Sequence, residues 1–264
     1  MLTLALPNSL LTQREDDIEA IIEAAGQIDV DGFYIVAEPP HGQYLVDNPL
    51  WLSNLLQLCA GLKLSDKKVV VGYGNHQLLS FSLAGVDAIA SGTWLNVRRF
   101  TNKFDDLADE IKRKSTWYYC PQALSEYKIA FLDIAFNNGI LDALKPPPDM
   151  ASEHVDVLFS GAMPSSTTFS ESSAFRHYIQ CLRSQVDYCS RSSFAETMAA
   201  NELLLASAER SLEFLEKNGI YAQTRSFRDV IDVNRSAIQR LKTTRGFALT
   251  YSWAAKPASG TMPS

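Results

Sequence analysis

Residues 67–100 read KKVVVGYGNHQLLSFSLAGVDAIASGTWLNVRRF, and they set the expected fold class. Val69, Val70 and Val71 make a β-branched run that stops at Gly72-Tyr73-Gly74. A parallel strand buried on both faces and closed by a glycine turn has this pattern. Asn75 is placed to cap a following helix whose apolar positions Leu78, Leu79, Phe81 and Leu83 suit packing on a sheet. Gly85 is placed to end that helix, and Val86-Asp87-Ala88-Ile89-Ala90 reads as a second buried strand running to Ser91-Gly92. Strand, glycine turn, helix, glycine and strand within about 25 residues predict a right-handed βαβ unit. Polar side chains gather where the strands end: Tyr73, Asn75 and His76 after the first, and Ser91, Thr93, Trp94 and Arg98 after the second. In α/β proteins that carboxyl edge is where ligands bind.

Upstream, Leu2 to Leu6 predicts a short strand ended by Pro7-Asn8-Ser9. Thr12 with Glu15 has the capping-box spacing, ahead of a helix striped by Ile18, Ile21, Ile22 and Ala25 with Gly26 as its C-cap. Residues 32–37 (GFYIVA) predict a strand followed by the loop Glu38-Pro39-Pro40-His41-Gly42. Pro49-Leu50-Trp51 opens a leucine-rich helix expected to end before Gly61. Strands are therefore expected near 2–6, 31–37, 68–73 and 86–91. Four βα units are half of an eight-stranded barrel, which needs about 250 residues. Four parallel strands alone leave two unpaired edges and an uncovered inner face. The expected fold is α/β, the C-terminal half of a TIM-type (β/α) barrel completed by another chain, with a small open sheet as the alternative.

Beyond Phe100 the character changes. Residues 104–114 (FDDLADEIKRK) predict a short charged helix, Thr116 to Tyr119 an aromatic extended piece, and 122–144 a helix broken at Asn137-Asn138-Gly139. Lys145-Pro146-Pro147-Pro148 is a stiff connector and marks a boundary between a half-barrel domain with its extension, 1–145, and a helical domain, 146–255. Residues 160–173 predict a polar loop, and 174–189, 192–217 and 226–242 predict helices with 3.6-period apolar stripes. Residues 256–264 are expected to be disordered.

At 264 residues the chain can bury a sizeable core as one large domain or two small ones, and 46% apolar with 20% charged residues is ordinary for a globular protein. No apolar run approaches the roughly 20 residues of a membrane span, so no membrane association is expected. Residues 1–11 are too short, and lack the basic start, for a signal peptide. Cys59, Cys120, Cys181 and Cys189 show neither CxxC nor framework spacing, which points to the reducing cytoplasm. The net charge of −6 is uneven: residues 1–66 carry two bases against ten acids, and residues 217–245 seven bases against two acids. The basic segment, with Arg225, Arg228, Arg235, Arg240 and Lys242, suits a phosphate backbone or another subunit's acidic face, and equally a solvated helix surface.

No serine elbow, phosphate-loop motif, dinucleotide fingerprint or HExxH is present. Gly72-Tyr73-Gly74-Asn75 has the look of a phosphate cradle, although a tight βα turn needs glycine in any case. His76, just past a strand end, stands where a general base could, and Glu38 and His41 hold the corresponding place after the preceding strand. Asp87, at the start of its strand, reads as structural. Trp94 with Arg98 and Arg99 suits stacking on a base and holding phosphate, or simply covering the mouth of the sheet. His154 and His177 have no cysteine near enough in sequence for a metal site.

GFYIVAEPP followed by KVVVGYGNHQLLSFSLAGVDAIASG resembles the late barrel strands of the tRNA-guanine transglycosylase superfamily, which includes relatives that place deazaguanine in DNA. Asp31-Gly32-Phe33, Gly72-Tyr73-Gly74 and Gly85-Val86-Asp87 stand where that family has its DGY-type strand, its G-x-G strand end and its "GVD" strand, and Arg176-His177-Tyr178-Ile179 is similar to its zinc-histidine helix. The family's nucleophilic aspartate falls three residues after the Asp of "GVD". Here that residue is Ala90, which cannot form a covalent intermediate. The segment expected to hold the zinc cysteines, 158–166, has none, so neither zinc nor any other cofactor is expected.

The resemblance implies a transglycosylase-like protein that binds tRNA or DNA, a glycosyltransferase if it is active. In that reading Tyr73, Gly74 and Asn75 line the base pocket with His76, Trp94, Arg98 and Arg99 contact nucleic acid, and Glu38, His76 and Ser91 are the candidates for chemistry. The alternatives are a non-catalytic subunit that completes a partner barrel, as a partner chain or homo-oligomer, and a small-molecule barrel enzyme using Glu38 and His76 as acid and base.

Overall fold

The computed structural model describes residues 1–13, 15–92, 94–100 and 115–255, so the charged segment 104–114 and the tail 256–264 lie outside the described residues. Four strands, β1 (Leu2–Leu6), β2 (Gly32–Ala37), β3 (Lys68–Val71) and β4 (Ala88–Ile89), form one parallel sheet in the order β1-β2-β3-β4. Its register pairs Leu4 with Ile35, Ile35 with Val71, and Val71 with Ile89. The α/β class and the parallel sheet are as the βαβ pattern predicts. The sheet is open, and no barrel closes among the described residues.

Alternation along the strands gives the sheet two unequal faces. Phe33, Ile35, Val69 and Val71 are fully buried on one of them. On the other, Thr3, Ala5, Tyr34, Val70 and Ala88 are half-buried or exposed, and Val36 is buried.

Between the strands lie α1 (Asn8–Gln13), α2 (Glu15–Gly26) and α3 (Pro49–Leu64). Asn48 starts α3: its side-chain oxygen accepts from the Leu50 and Trp51 amides at 3.0 Å, and Pro49 supplies a preset first turn. Every residue of α3 from Trp51 to Leu62 is buried, so leucines surround it and its polar Asn54 and Gln57 donate to the Leu11 carbonyl and the Thr244 hydroxyl. The sequence predicts an end at Gly61, yet α3 continues to Leu64. Gly61 is there for clearance, because a Cβ would run into the Ile22 side chain of α2.

The segment after β3 forms successive 3-10 turns, His76–Ala84, where an α-helix is expected. Asn75 caps it, accepting from the Gln77 amide at 2.8 Å, and Gly85 closes it in the left-handed region at φ 67. Tertiary hydrogen bonds replace helical regularity: Gln77 accepts from the Val46 amide and donates to the Val46 carbonyl.

The aromatic stretch after residue 115 forms a hairpin, β5 (Trp117–Cys120) with β6 (Ser125–Lys128), turned by Pro121–Ala123 and Leu124 at φ 47. The helix expected over 122–144 is therefore only α4 (Ile129–Asn137), because Tyr118 opposite Tyr127, both fully buried, stabilises strand pairing before it. Three long helices follow, α5 (Glu171–Cys189), α6 (Phe194–Lys217) and α7 (Ile231–Ala255). Ser170 and Ser193 cap the first two. The connector at 145–148 does not divide the core. One apolar cluster runs from Leu6 to Leu249, and α3 of the sheet half packs along α7.

Gly61→Ala is expected to destabilise the fold by about 1–3 kcal/mol through overpacking. Combined with Ile22→Val, which shortens the obstructing side chain, the loss should be smaller than the sum of the two single losses. Urea denaturation of the four variants measures this, and simple additivity would show that Gly61 serves some other need.

Candidate functional site

The loops at the carboxyl edge of the sheet meet the hairpin and α5 around a buried carboxylate. Glu126 on β6 is 4% exposed. Its Oε1 accepts from the Tyr44 hydroxyl at 2.8 Å and lies 3.5 Å from Arg98 Nη1, and its Oε2 accepts from Arg225 Nη1 at 2.6 Å. Burial, and next the charge of Glu126, push the Tyr44 phenol well above its ordinary pKa, so it remains a donor. The Arg98 guanidinium lies 3.4 Å from the centre of the Tyr178 ring, and its Nε donates to the Gly92 carbonyl at 2.9 Å. Arg225 sits 4.1 Å above the Trp117 ring.

Beside this cluster opens a cleft of ≈ 500 Å³, within the range of small-molecule sites. Its wall includes Trp94, Phe175, Tyr178, Trp117, Arg98 and Arg225, with Glu126 and Tyr119 behind. Trp94 is half-exposed, with its ring 4.8 Å from that of Phe175. Flat apolar surfaces and guanidinium groups in one cleft can take a planar ring that carries negative charge.

The residues singled out in the sequence fare differently. Trp94 and Arg98 line the cleft, whereas Arg99 donates to the Gly42 carbonyl. The Gly72–Asn75 turn is not a free phosphate cradle. The Gly72 amide donates to the Ile35 carbonyl at 2.8 Å and the Gly74 amide to the Ala90 carbonyl at 2.9 Å. A Cβ at Gly74 would strike Ile89, so glycine answers the close approach of the next strand. Asn75 is spent on the Tyr44 and Arg98 carbonyls, at 2.7 and 3.2 Å. Tyr73 packs edge-on against Phe100. Glu38 accepts from the Asn8 amide at the start of α1, while its carbonyl accepts from Trp51 Nε1. Ser91 Oγ is buried with no hydrogen-bond partner among the described residues, and Ser91 does not line the cleft.

His76 is 1% exposed and ringed by Tyr44, Tyr119, Tyr178 and Phe227, with centroids 5.1–6.0 Å away. Burial lowers its pKa to about 4, against the opposing pull of Glu126. It is a neutral core histidine whose amide donates to the Tyr178 hydroxyl at 3.2 Å. Neither Glu38 nor His76 reaches the cleft wall, so the arrangement does not assemble them as an acid–base pair.

His177 anchors α5 to the hairpin: its Nε2 lies 2.8 Å from the Tyr119 carbonyl and its ring stacks on Tyr118. Its Nδ1 is 3.5 Å from Cys181 Sγ, and no set of three potential metal ligands occurs among the described residues. Burial lowers the His177 pKa to about 4 as well.

The basic segment is largely met by acids of the chain itself. Arg228 pairs with Glu216 at 2.8 Å, and Arg235 with Glu209 at 2.8 Å and Glu202 at 3.2 Å. Arg245 pairs with Glu19 of α2. Arg240 shares a polar hollow with Asp16 and Glu19, while Lys242 borders an apolar groove beside Phe194 and Phe247. Tyr44, Trp117, Tyr119, Glu126, Phe175 and Tyr178 are the site residues that sequence reasoning misses. No local pattern marks them, because the burial of Glu126 between Ser125 and Tyr127 is known only from the packed structure.

Comparison of the chain with protein-family models, curated proteins and solved structures finds no match.

Two outcomes follow from the cluster. Glu126→Gln leaves two guanidinium groups together without their anion and should cost about 3–5 kcal/mol, whereas Tyr44→Phe, losing one hydrogen bond, should cost about 1–3 kcal/mol. Thermal and urea melts rank the two, and an equal cost would dethrone the carboxylate. His76 and His177, depressed to about 4, are neutral when folded and bind protons on unfolding, so stability should fall as pH drops from about 6.5 to about 4. In His76→Gln that slope should shrink by about one proton, read from urea melts across the window.

Proposed function

We propose that this chain is a nucleic-acid-binding protein of the base-exchange type, transglycosylase-like in its strand pattern, which seats an unstacked base in the cleft beside Trp94. The observation that supports this reading is the joining of aromatic faces and guanidinium groups at the carboxyl edge of a parallel sheet. Stacking on aromatic side chains holds splayed bases, and arginine adds charge and a flat surface. Ala90 stands at the end of β4 with both backbone groups spent on Val71 and Gly74, so a methyl occupies the place of the family's nucleophile. The chain thus binds rather than forms a glycosyl intermediate.

In the same reading the four strands are half of a βα barrel. Neighbours in sequence are neighbours in the sheet, and Thr3, Ala5, Tyr34, Val70 and Ala88 face the side where a barrel interior would fill. A parallel sheet is ordinarily covered on both faces, so this face, largely unburied apart from Val36, favours a companion, either another chain or a second copy. The second reading, a subunit that completes a partner barrel, rests on that face alone.

Fluorescence anisotropy with labelled tRNA and DNA over a salt series tests the proposal. Binding should weaken with salt on a log–log slope of about −0.7 to −0.9 per phosphate contacted. Few contacts are expected, because Arg228 and Arg235 are already paired. Salt-independent or absent binding to both polymers would remove this function.

A further inference from the structure

The contacts around the cleft run in one line. Trp94 meets Phe175, which Arg98 approaches at 5.9 Å, and Arg98 adjoins Glu126, which holds Arg225 above Trp117. The two ends of this line differ in chemistry. At one end a half-exposed indole backed by a second ring offers an apolar face. At the other, Arg225 is 19% exposed and gives only Nη1 to Glu126, while its Nε and Nη2 make no hydrogen bond among the described residues. Trp117 beneath it also has Lys128 Nζ at 5.3 Å, so this end holds two cations around one ring. Arg98, the other guanidinium on the cleft wall, is by contrast 3% exposed and committed to Glu126, Gly92 and Tyr178. Among these guanidinium groups, Arg225 has donors to spare.

We infer that the cleft binds one nucleotide unit as a whole, its base on Trp94 and its phosphate on the spare donors of Arg225. The charge count agrees: Arg98, Arg225 and Lys128 stand against the carboxylates of Glu126 and of Glu171 on the cleft wall, which leaves one positive charge for an anion to neutralise. A guanidinium that stacks on an indole and presents two adjacent N–H groups is preorganised for a phosphate oxygen pair. A cleft of ≈ 500 Å³ accommodates a nucleoside monophosphate. The inference rests on the proposed function for the class of ligand and adds the unit recognised and the residue that holds its phosphate. A free nucleotide and a nucleotide within a strand offer the same chemistry.

Isothermal titration calorimetry of the full chain separates the possibilities. The probes are adenosine and guanosine 5′-monophosphates, their nucleosides, inorganic phosphate, and short single-stranded DNA and RNA. The monophosphates should bind more tightly than the nucleosides. Trp94→Ala should weaken both about tenfold or more. Arg225→Gln should weaken the monophosphate about tenfold and leave the nucleoside unchanged. Because Arg225 also neutralises Glu126, Arg225→Lys serves as the folded control: it retains the charge, should melt like the parent and should bind the monophosphate at intermediate strength. Monophosphate bound no better than nucleoside, or affinity indifferent to Trp94, would overturn the inference. Oligonucleotide binding that ignores both Trp94→Ala and Arg225→Lys would overturn it while leaving nucleic-acid binding intact. Monophosphate binding through both residues without oligonucleotide binding would uphold it and assign the site to free nucleotides.

Discussion

The carboxylate of Glu126, withdrawn from water on β6, is held by Tyr44 from the loop after β2, Arg98 from the segment after β4, and Arg225 from the connection ahead of α7. An isolated buried carboxylate is too costly to keep, and the cost falls only when close donors and opposite charge surround it. Those donors must therefore reach Glu126 from three separate parts of the chain, and the backbone segments bearing them are drawn to one place. Arg98 can stay buried because Tyr178 and Glu126 accompany it. The cleft wall follows: Trp94 precedes Arg98 by four residues, and Trp117 lies across the hairpin from Lys128.

The polar residues at the strand ends are mostly consumed in holding this geometry. Asn75 ties the loop of Tyr44 to that of Arg98, and Gln77 ties the 3-10 segment to Val46. His76 fills the space between Tyr119, Tyr178 and Phe227 as a neutral ring. A polar side chain at the carboxyl edge is thus a weak pointer to chemistry. What separates support from recognition is whether its donors are already used, and Arg225 differs from Arg98 in that respect.

Charge follows the same logic at larger scale. The acidic first quarter of the chain and the basic stretch near its end have opposite charge, and α7 brings Arg245 against Glu19 of α2. Within the helical layer Glu202, Glu209 and Glu216 of α6 meet Arg235 and Arg228. Such exposed pairs add little stability each, but they leave less positive charge for a long polyanion than the sequence count suggests.

By itself the sequence determined the α/β class, the positions of all four parallel strands, the caps at Asn75 and Gly85, and the indole and guanidinium of Trp94 and Arg98 beside the strand ends. These are local signals, carried by β-branched runs, glycine punctuation and helical periodicity over a few residues. Only the tertiary structure decided that Gly61 is a clearance and not a stop, that residues 125–128 pair as a strand, that His76 is buried among aromatic rings and Glu38 is held by Asn8, and that Arg225 joins Trp117 and Glu126. Apart from the local hairpin pairing, these depend on partners distant in the chain, Glu126 and Arg225 being 99 residues apart. Burial and unspent donors are properties of the packed neighbourhood, and a one-dimensional pattern carries no term for them.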